Sequence, residues 1–249
     1  EMSASLVGSE MCIRDRVCSA LIAGTASAAT EEKLFLNNGE QTYHEDLELS
    51  SGIYGSQKNN TKPYEASLTV DGKLTINKTD NISGATSDSA IIISGGLKAN
   101  YQGTINADDI ALINANKSGA LGIAMTNGMT TGDHQHRATL NINSNKDLTI
   151  NGFDRGILVD ANNNLNINIG GKLDLKAGSV SNNYRGISLG NLLFGSSDRK
   201  DILNLSLTAN NDINITDYKS GFYVSAGANL TSIVTSQKGS INVINYSNR

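Results

Sequence analysis

Residues 140–159 read LNINSNKDLTINGFDRGILV, and this stretch decides the fold because its pattern returns at 165–189 and at 203–224. Leu140 and its equivalent, Leu165, are 25 residues apart. Each copy holds two runs in which Leu or Ile alternates with a polar residue, and then a third run that begins Arg-Gly-Ile or Ser-Gly-Phe. Alternation with a period of two is typical of a β-strand with one buried face. The pattern predicts about three strands per copy.

Looser copies lie at 68–93 and 104–125, and a further copy begins at Leu230 and includes 241–244. Strands this short cannot bury an apolar row alone, but coiling lets each strand pair with its counterpart in the next copy. The sequence therefore predicts an all-β chain folded as a parallel β-helix, a solenoid of about six coils with about three strands per coil. At about 4.8 Å per coil, the rod would be roughly 30 Å long.

Composition supports a coil with many tight corners. The chain has 31 Asn and 25 Gly but a single Pro, and Asn and Gly tolerate the left-handed backbone angles of corners. Asn residues at equivalent corners are expected to stack into amide ladders. The formal net charge is −4, and the 20 Lys and Arg are spread thinly along the chain. The sequence therefore has no basic stripe that would indicate nucleic-acid binding.

Residues 17–28 form a short apolar run that ends in Ala26-Ser-Ala28, which is typical of a secretory signal peptide cleaved before Ala29. Residues 1–16 resemble the translation of a sequencing adapter, so no biological role is predicted for them. Both cysteines, Cys12 and Cys18, precede the cleavage site. An exported mature chain would therefore be stabilised by packing without disulfides. No other apolar run approaches 18 residues, so no transmembrane helix is predicted.

The mature chain divides into two regions. Residues 29–67 are less regular and contain Pro63, and we expect them to cap the exposed edge of the first coil. Residues 68–249 hold the β-helix repeats. The sequence stops just after a strand pattern, with neither a cap nor alternating barrel strands, so we expect the chain to be truncated at its C-terminus.

The signal-peptide end, the Asn- and Gly-rich mature chain without cysteine and the repeats of 68–249 together resemble the N-terminal part of a bacterial autotransporter passenger of the adhesin type. The resemblance implies a right-handed β-helix displayed on the cell surface or released, and an outer-membrane translocator barrel outside this sequence. It also implies a non-catalytic stalk or adhesin that binds ligands on host or neighbouring cells, glycans among them, with self-association as a further expectation. A two-partner secretion exoprotein is an alternative.

Asp108 and Asp109 raise the competing hypothesis of a secreted carbohydrate-active β-helix, either a polysaccharide lyase or a glycoside hydrolase. Such enzymes use clustered carboxylates on one side of the helix for acid/base or calcium-assisted cleavage. Adjacent residues of a strand point to opposite faces, so we expect this pair to lie on a solvated turn before Ile110 instead. No catalytic residue and no cofactor are predicted.

Gly186-Ile-Ser188-Leu-Gly190 matches the G-x-S-x-G nucleophile elbow, which requires a turn between a strand and a helix. No helix pattern follows it. Ser188 takes the place held by Leu158 and Tyr223 in neighbouring copies, so we interpret it as an outward strand residue.

Asp133, His134 and His136 are weak candidates for a metal site, because alternate residues of an extended segment face the same way. No third ligand run accompanies them. An exposed loop inserted between coils is the favoured interpretation.

A second inserted loop carries the apolar cluster Leu192, Leu193 and Phe194. Insertions in solenoids frequently contact partners. We expect this cluster either to cover a corner of the core, which is favoured, or to form a contact patch.

Overall fold

The computed structural model describes residues 28–37, 39–56, 63–79, 88–95, 99–115, 120–127, 137–160, 163–178, 184–190, 201–225 and 228–245. All regular secondary structure in these ranges is β-strand, and each strand pairing is parallel. The strands are β1 (Ala29–Phe35), β2 (Gly39–Tyr43), β3 (Leu47–Ser56), β4 (Tyr64–Lys78), β5 (Ser89–Gly95), β6 (Tyr101–Asn114), β7 (Leu121–Asn127), β8 (Ala138–Ser144), β9 (Leu148–Phe153), β10 (Arg155–Val159), β11 (Asn163–Ile169), β12 (Leu173–Ala177), β13 (Arg185–Leu189), β14 (Asp201–Ala209), β15 (Ile213–Tyr218), β16 (Ser220–Val224), β17 (Ala228–Ser236) and β18 (Ile241–Asn245).

The pairings arrange the strands on three faces of a coil. Face A consists of β2, the first half of β4 and of β6, and then β8, β11, β14 and β17. Face B consists of the first half of β3 and the second halves of β4 and β6, and then β9, β12, β15 and β18. Face C consists of the second half of β3, and then β5, β7, β10, β13 and β16. The chain is therefore a parallel β-helix, as its sequence predicts.

One coil is one pass over faces A, B and C. Six passes are complete, at 39–56, 64–95, 101–127, 138–159, 163–189 and 201–224, and we number them coils 1 to 6. Strand β1 lies before coil 1, and β17 and β18 form part of a coil after coil 6. The predictions of about three strands per coil and about six coils are confirmed.

The core consists of columns of aliphatic side chains, because the parallel register places equivalent residues directly above one another. One column on face C contains Ile91, Ile123, Ile157 and Ile187, and each of these is 0% exposed. Faces A and B contribute similar Leu and Ile columns. Full burial of one such side chain stabilises the fold by roughly 1.5–3 kcal/mol, so the columns supply the main stabilising term.

A column of glycines lies where face B turns into face C. A Cβ on Gly186 would lie 2.7 Å from the carbonyl oxygen of Gly221 and 2.4 Å from a methyl group of Ile215. A Cβ on Gly156 would lie 2.8 Å from the carbonyl oxygen of Gly186. The two Arg-Gly-Ile runs therefore require glycine, because the backbone of the neighbouring coil leaves no room for a side chain.

Aspartates organise the corner between faces A and B. The carboxylate of Asp147 accepts a hydrogen bond from the backbone N–H of Lys172, one coil further on, at 2.9 Å. A Cβ on Gly171 would meet that same carboxylate at 2.1 Å, so the hydrogen bond requires glycine there. Asp46 with Gly72, and Asp212 with Gly239, repeat the arrangement. This corner contact, an aspartate on one coil and a glycine on the next, links three pairs of coils.

Residues 29–67, which the sequence analysis assigns to a cap, contain β1 to β3 and the start of β4. Strand β1 pairs with β3 in parallel, and β2 pairs with β4. The described part of this segment therefore belongs to the same β-helix as the repeats. Whether it acts as a cap stays a prediction. The first strand begins at Ala29, the residue that follows the proposed cleavage site.

The outward row of face C is buried, unlike an ordinary outer face. Tyr54, Ile92, Ala124 and Leu158 occupy equivalent positions in successive coils, and the last three are 0% exposed. They form an apolar cluster separate from the main core. Face C therefore packs on both sides, as the strands of buried parallel sheets do.

Candidate binding surfaces

Outward asparagines on face A form hydrogen-bonded ladders that run along the rod. Asn168 donates from its side-chain amide to Asn143 at 3.0 Å, and Asn143 donates to Asn106 at 2.9 Å. In a neighbouring column, Asn204 donates to Asn164 at 2.8 Å. Amide ladders are present, but these columns lie on a strand face rather than at the corners where the sequence analysis expects them, because outward residues of paired parallel strands lie directly above one another.

Each ladder amide has bonding capacity left over. An Asn side chain carries two N–H donors and an acceptor oxygen with two lone pairs, and one step of a ladder uses one donor and one lone pair. The remaining donor and lone pair are available to water or to a ligand. Face A therefore presents donors and acceptors in rows about 4.8 Å apart, held in place by the ladder bonds.

A groove lies across the outer side of face A. Its larger part has a volume of about 540 Å³ and is lined by residues from coils 2 to 5, including Glu65, Gln102, Arg137, Thr139 and Asn164. A second part of about 310 Å³ shares Glu65 and Gln102 and extends to coil 1. The two parts together span five coils, or roughly 19 Å at about 4.8 Å per coil. We call this feature the face A groove.

The chemistry of the face A groove favours a polar ligand with many hydroxyl groups. Glu65 supplies a carboxylate, Arg137 a guanidinium, and Gln102 and Asn164 supply amides that both donate and accept. Tyr64 also borders the groove, but its side chain packs against the main core, in register with Tyr101. Amides and charged groups are suited to hold sugar hydroxyls, whereas an apolar ligand would leave these polar groups without partners.

A separate hollow of about 400 Å³ lies further along the rod, near the corner between faces A and B. Its lining includes Asn143, Asn145, Asn168, Asn210 and Gln237. These side chains carry no formal charge, so this hollow offers hydrogen bonds without electrostatic attraction.

Asp108 and Asp109 lie inside β6, not on a separate turn, so the prediction of a turn is wrong. Strand β6 stays extended through the corner that the next coil makes with residues 145–147. Asp108 pairs with Lys146 at 3.3 Å, one coil further on. Asp109 pairs with Lys73 at 3.2 Å, one coil before. The two carboxylates are therefore directed at lysines of different coils.

The electrostatics of Asp108 agree with its pairing to Lys146. Hydrogen bonds from Asn145 and Lys146, together with the charge of Lys146, lower the pKa of Asp108. A carboxyl group that acts as a general acid near neutral pH needs the opposite shift. Asp108 is therefore better suited to an ion pair with the neighbouring coil than to acting as a general acid.

Ser188 lies in the middle of β13, in register with Leu158 and Tyr223, so it occupies the outward row of face C. It is nevertheless 0% exposed, because that row is buried. Its hydroxyl has no hydrogen-bond partner among the described residues, and no His base is in contact with it there. A nucleophile elbow needs an exposed serine at a turn, and this position offers neither.

Several predicted residues fall outside the described ranges. These are Ala26 of the cleavage site, the metal candidates Asp133, His134 and His136, and the cluster Leu192, Leu193 and Phe194. Ala28 and Ala29 are described, and Ala29 begins β1. In the described ranges, no group of three or more His, Cys, Asp or Glu is placed to hold a metal ion.

The chain matched no protein-family model, no curated protein and no solved structure in the three comparisons with known proteins. Across the residues with described coordinates, no helix is long and apolar enough to cross a membrane.

The sequence analysis did not identify the face A groove. Glu65, Gln102 and Thr139 each precede a recognised apolar run, and each looks like an ordinary outward strand residue. Their common position becomes visible only when the copies are aligned in register, which the repeat pattern allows. A column of Glu, Gln, Thr and Asn at one aligned position was the available signal.

Proposed function

We propose that this protein is an exported, rod-shaped binding module, the passenger of an autotransporter-type adhesin. The observation that carries the proposal is the face A groove, which extends along the rod over five coils and is lined by amides, hydroxyls and charges. The ligand is a glycan on the surface of a host or neighbouring cell. Ladders and core columns hold the groove rigid, and a rigid groove loses little entropy on binding.

Export is proposed from the sequence. The signal-like run ends at Ala28, and the first strand begins at Ala29. Both cysteines precede the proposed cleavage site between these two residues. A rod displayed at the cell surface, with its groove facing outward, would meet glycans that an intracellular protein does not meet. Two-partner secretion is the alternative route, and the full reading frame distinguishes the two.

The competing proposal is a polysaccharide-cleaving enzyme, for which Asp108 and Asp109 are the candidate acids. Each is ion-paired to a lysine on a different coil, and neither lines the face A groove. Binding without cleavage is therefore the better-supported function.

A glycan array with the full chain tests the proposal. Gln102→Ala and Thr139→Val should each weaken binding of the preferred glycan several-fold, because each removes groups that line the groove. Thr231→Val is the matched control, since Thr231 continues the column of Thr139 and Asn164 but lies at the far end of the rod, outside the groove.

Two results would contradict the proposal. One is an array on which the full chain retains no glycan. The other is equal affinity for the wild-type chain and both groove variants, with unchanged melting temperatures. Release of shortened oligosaccharides from a bound glycan would favour the enzyme instead.

A further inference from the structure

Two arginines occupy equivalent positions where successive coils enter face C. Arg155 begins β10 and Arg185 begins β13, and the two are register partners. Their backbones are therefore about 4.8 Å apart. Both side chains are partly buried. Two guanidinium groups thus emerge from the same side of the rod, one coil apart.

An aromatic ring fixes one of these guanidiniums. The central carbon of the Arg185 guanidinium lies 3.4 Å from the centre of the Tyr223 ring, which belongs to the next coil. Stacking on a tyrosine leaves the edge of the guanidinium, which carries the N–H groups, free to donate. Tyr223 lies three residues after the register partner of Arg185. Ser188 lies three residues after the register partner of Arg155, so it occupies the equivalent place opposite Arg155.

Neither guanidinium has an ion-pair or hydrogen-bond partner among the described residues, although each offers five N–H donors. Lys73, Lys146 and Lys172 differ in this respect, since each is ion-paired to an aspartate. Unused donors on a partly buried cation carry a desolvation cost.

The electrostatics of Arg155 also indicate a cation without a compensating anion. Burial lowers its pKa, and the positive charge of Arg185 lowers it further. The carboxylate of Asp154 opposes this effect more weakly. The two arginines therefore repel each other, and an anion placed between them would relieve both the repulsion and the unused donors.

We propose that Arg155 and Arg185 form a binding site for an oxyanion, the sulfate or carboxylate group of an acidic glycan. Each planar guanidinium can donate two parallel hydrogen bonds to such a group, and Tyr223 holds Arg185 in the orientation that allows it. The inference rests on the proposed glycan-binding function and adds to it that the preferred glycan is acidic. It places this anion site at face C, apart from the face A groove.

An acidic glycan fits the site better than a nucleic acid does. Nucleic-acid binding needs many phosphates to be neutralised along a basic stripe, whereas the whole chain carries a net charge of −4. Two neighbouring arginines can neutralise one or two anionic groups. Such groups recur at intervals on a polymer that is otherwise rich in hydroxyls, as in a uronate-containing or sulfated polysaccharide.

Titration calorimetry with the full chain tests the site. The probes are a chondroitin sulfate fragment, a hyaluronan fragment and uncharged dextran, which separate sulfate, carboxylate and neutral sugar. The double variant Arg155→Gln/Arg185→Gln should weaken binding of at least one acidic fragment about 10- to 100-fold, as expected for the loss of charge-assisted hydrogen bonds. Arg185→Lys should lose part of that affinity, because a lysine cannot donate in parallel pairs.

Lys172→Gln is the control for net charge, since it removes a cation that is already paired with Asp174. It should leave the affinity for the acidic fragments unchanged. Equal affinity of the wild-type chain and the double variant for both acidic fragments would overturn the proposal. Equal weakening by Lys172→Gln would also overturn it, as would tighter binding of single-stranded DNA than of either acidic fragment.

A second measurement avoids any folding defect of the variants. Phenylglyoxal modifies accessible arginines, so the acidic fragment that binds should slow modification of Arg155 and Arg185 in the wild-type chain, as read by peptide mass spectrometry. Unchanged modification rates at both residues would contradict the site. Protection of both arginines together with unchanged binding of the array glycan by Gln102→Ala would contradict the groove alone. Weakened binding of the array glycan by Gln102→Ala, without protection of the arginines, would contradict the anion site alone.

Discussion

Coil 4 and the strands at the end of the described rod carry the same alternating pattern, yet their burial is opposite. Ile142 and Ile157 in coil 4 are 0% exposed, whereas Ile241 and Val243 in β18 are 44% and 40% exposed. Phe222, the counterpart of Ile187 in β16, is 42% exposed. The pattern sets which way a side chain points, but at this end of the described rod burial also depends on a following coil, which β16 and β18 lack among the described residues. Stability in a solenoid therefore comes from contacts between neighbours.

The largest expected effect compares two isoleucines in one column. Ile213 is 0% exposed and lies directly beneath Ile241 in the register of face B. Ile213→Ala should lower the free energy of unfolding by about 2–5 kcal/mol, because it leaves a cavity between two coils. Ile241→Ala should cost less than about 1.5 kcal/mol, since that side chain is already half in water. Equal losses in urea denaturation would show that β18 is covered in solution.

The next comparison concerns the glycine column. Gly186→Ala should destabilise the chain by about 1–3 kcal/mol, because its Cβ would press on the backbone of Gly221. A Cβ on Gly221 would meet the side chain of Val243 at 2.2 Å, and that side chain is exposed and can move away. Gly221→Ala should therefore cost clearly less. Thermal melting of the two variants, which differ by the same methyl group, measures the difference.

A smaller effect separates the middle of a ladder from its end. Asn143 donates to Asn106 and accepts from Asn168, whereas Asn242 donates to Asn214 at the last described strand. At about 1 kcal/mol per hydrogen bond, Asn143→Ala should cost more than Asn242→Ala by roughly that amount. Chemical denaturation should resolve this difference. If Asn242→Ala lowered the free energy of unfolding more than Asn143→Ala does, the hydrogen bonds of a ladder would not contribute additively to stability.

The smallest expected effect depends on pH. Burial tends to raise the pKa of Asp174, but hydrogen bonds from Lys172 and Asn214 outweigh it and hold the pKa below its ordinary value. A carboxyl with a lowered pKa stabilises the fold above its unfolded value, about 3.9, and this stabilisation is lost as the pH falls further. Stability should therefore decline below about pH 4, and Asp174→Asn should reduce that decline.

Thr149→Val is the matched control for the pH dependence, because Thr149 lies directly beneath Asp174 and does not titrate. It should leave the slope of stability against pH unchanged. If the stability of Asp174→Asn declined below pH 4 as steeply as that of the wild-type chain, the decline would come from other carboxylates.

The alternation in 140–159 was enough to predict the strands and their parallel stacking, and its return along residues 68–249 predicted the number of coils. These properties depend on local pattern and on repetition, both of which a single sequence displays. Residues such as Leu148 and Ile150 could be assigned to the core for the same reason. The turn predicted at Asp108 was wrong because lysines on two neighbouring coils pair with the acids while β6 stays extended.

Contacts between coils could not be predicted from the pattern. Ser188 is outward by alternation, yet it is buried because face C packs on both sides. The face A groove depends on exact register between copies of unequal length. The equivalence of Arg155 and Arg185 follows from the repeated Arg-Gly-Ile run, but the stacking of Arg185 on Tyr223 of the next coil does not. An insertion shifts the copies in sequence without shifting them in space, so spacing alone does not show which residues are neighbours.

The corner contact limits how such a rod can grow by gene duplication. Asp147 lies on coil 4, but the glycine that makes room for its carboxylate, Gly171, lies on coil 5. A tandem copy of coil 4 alone would place a second Lys146 above Asp147, where a Cβ would meet the carboxylate. Coils 4 and 5 duplicated together would keep the aspartate with its glycine. Coils 4 and 5 should therefore be duplicated or exchanged together, and chimeric rods should be joined outside the pairs of coils that such a contact links.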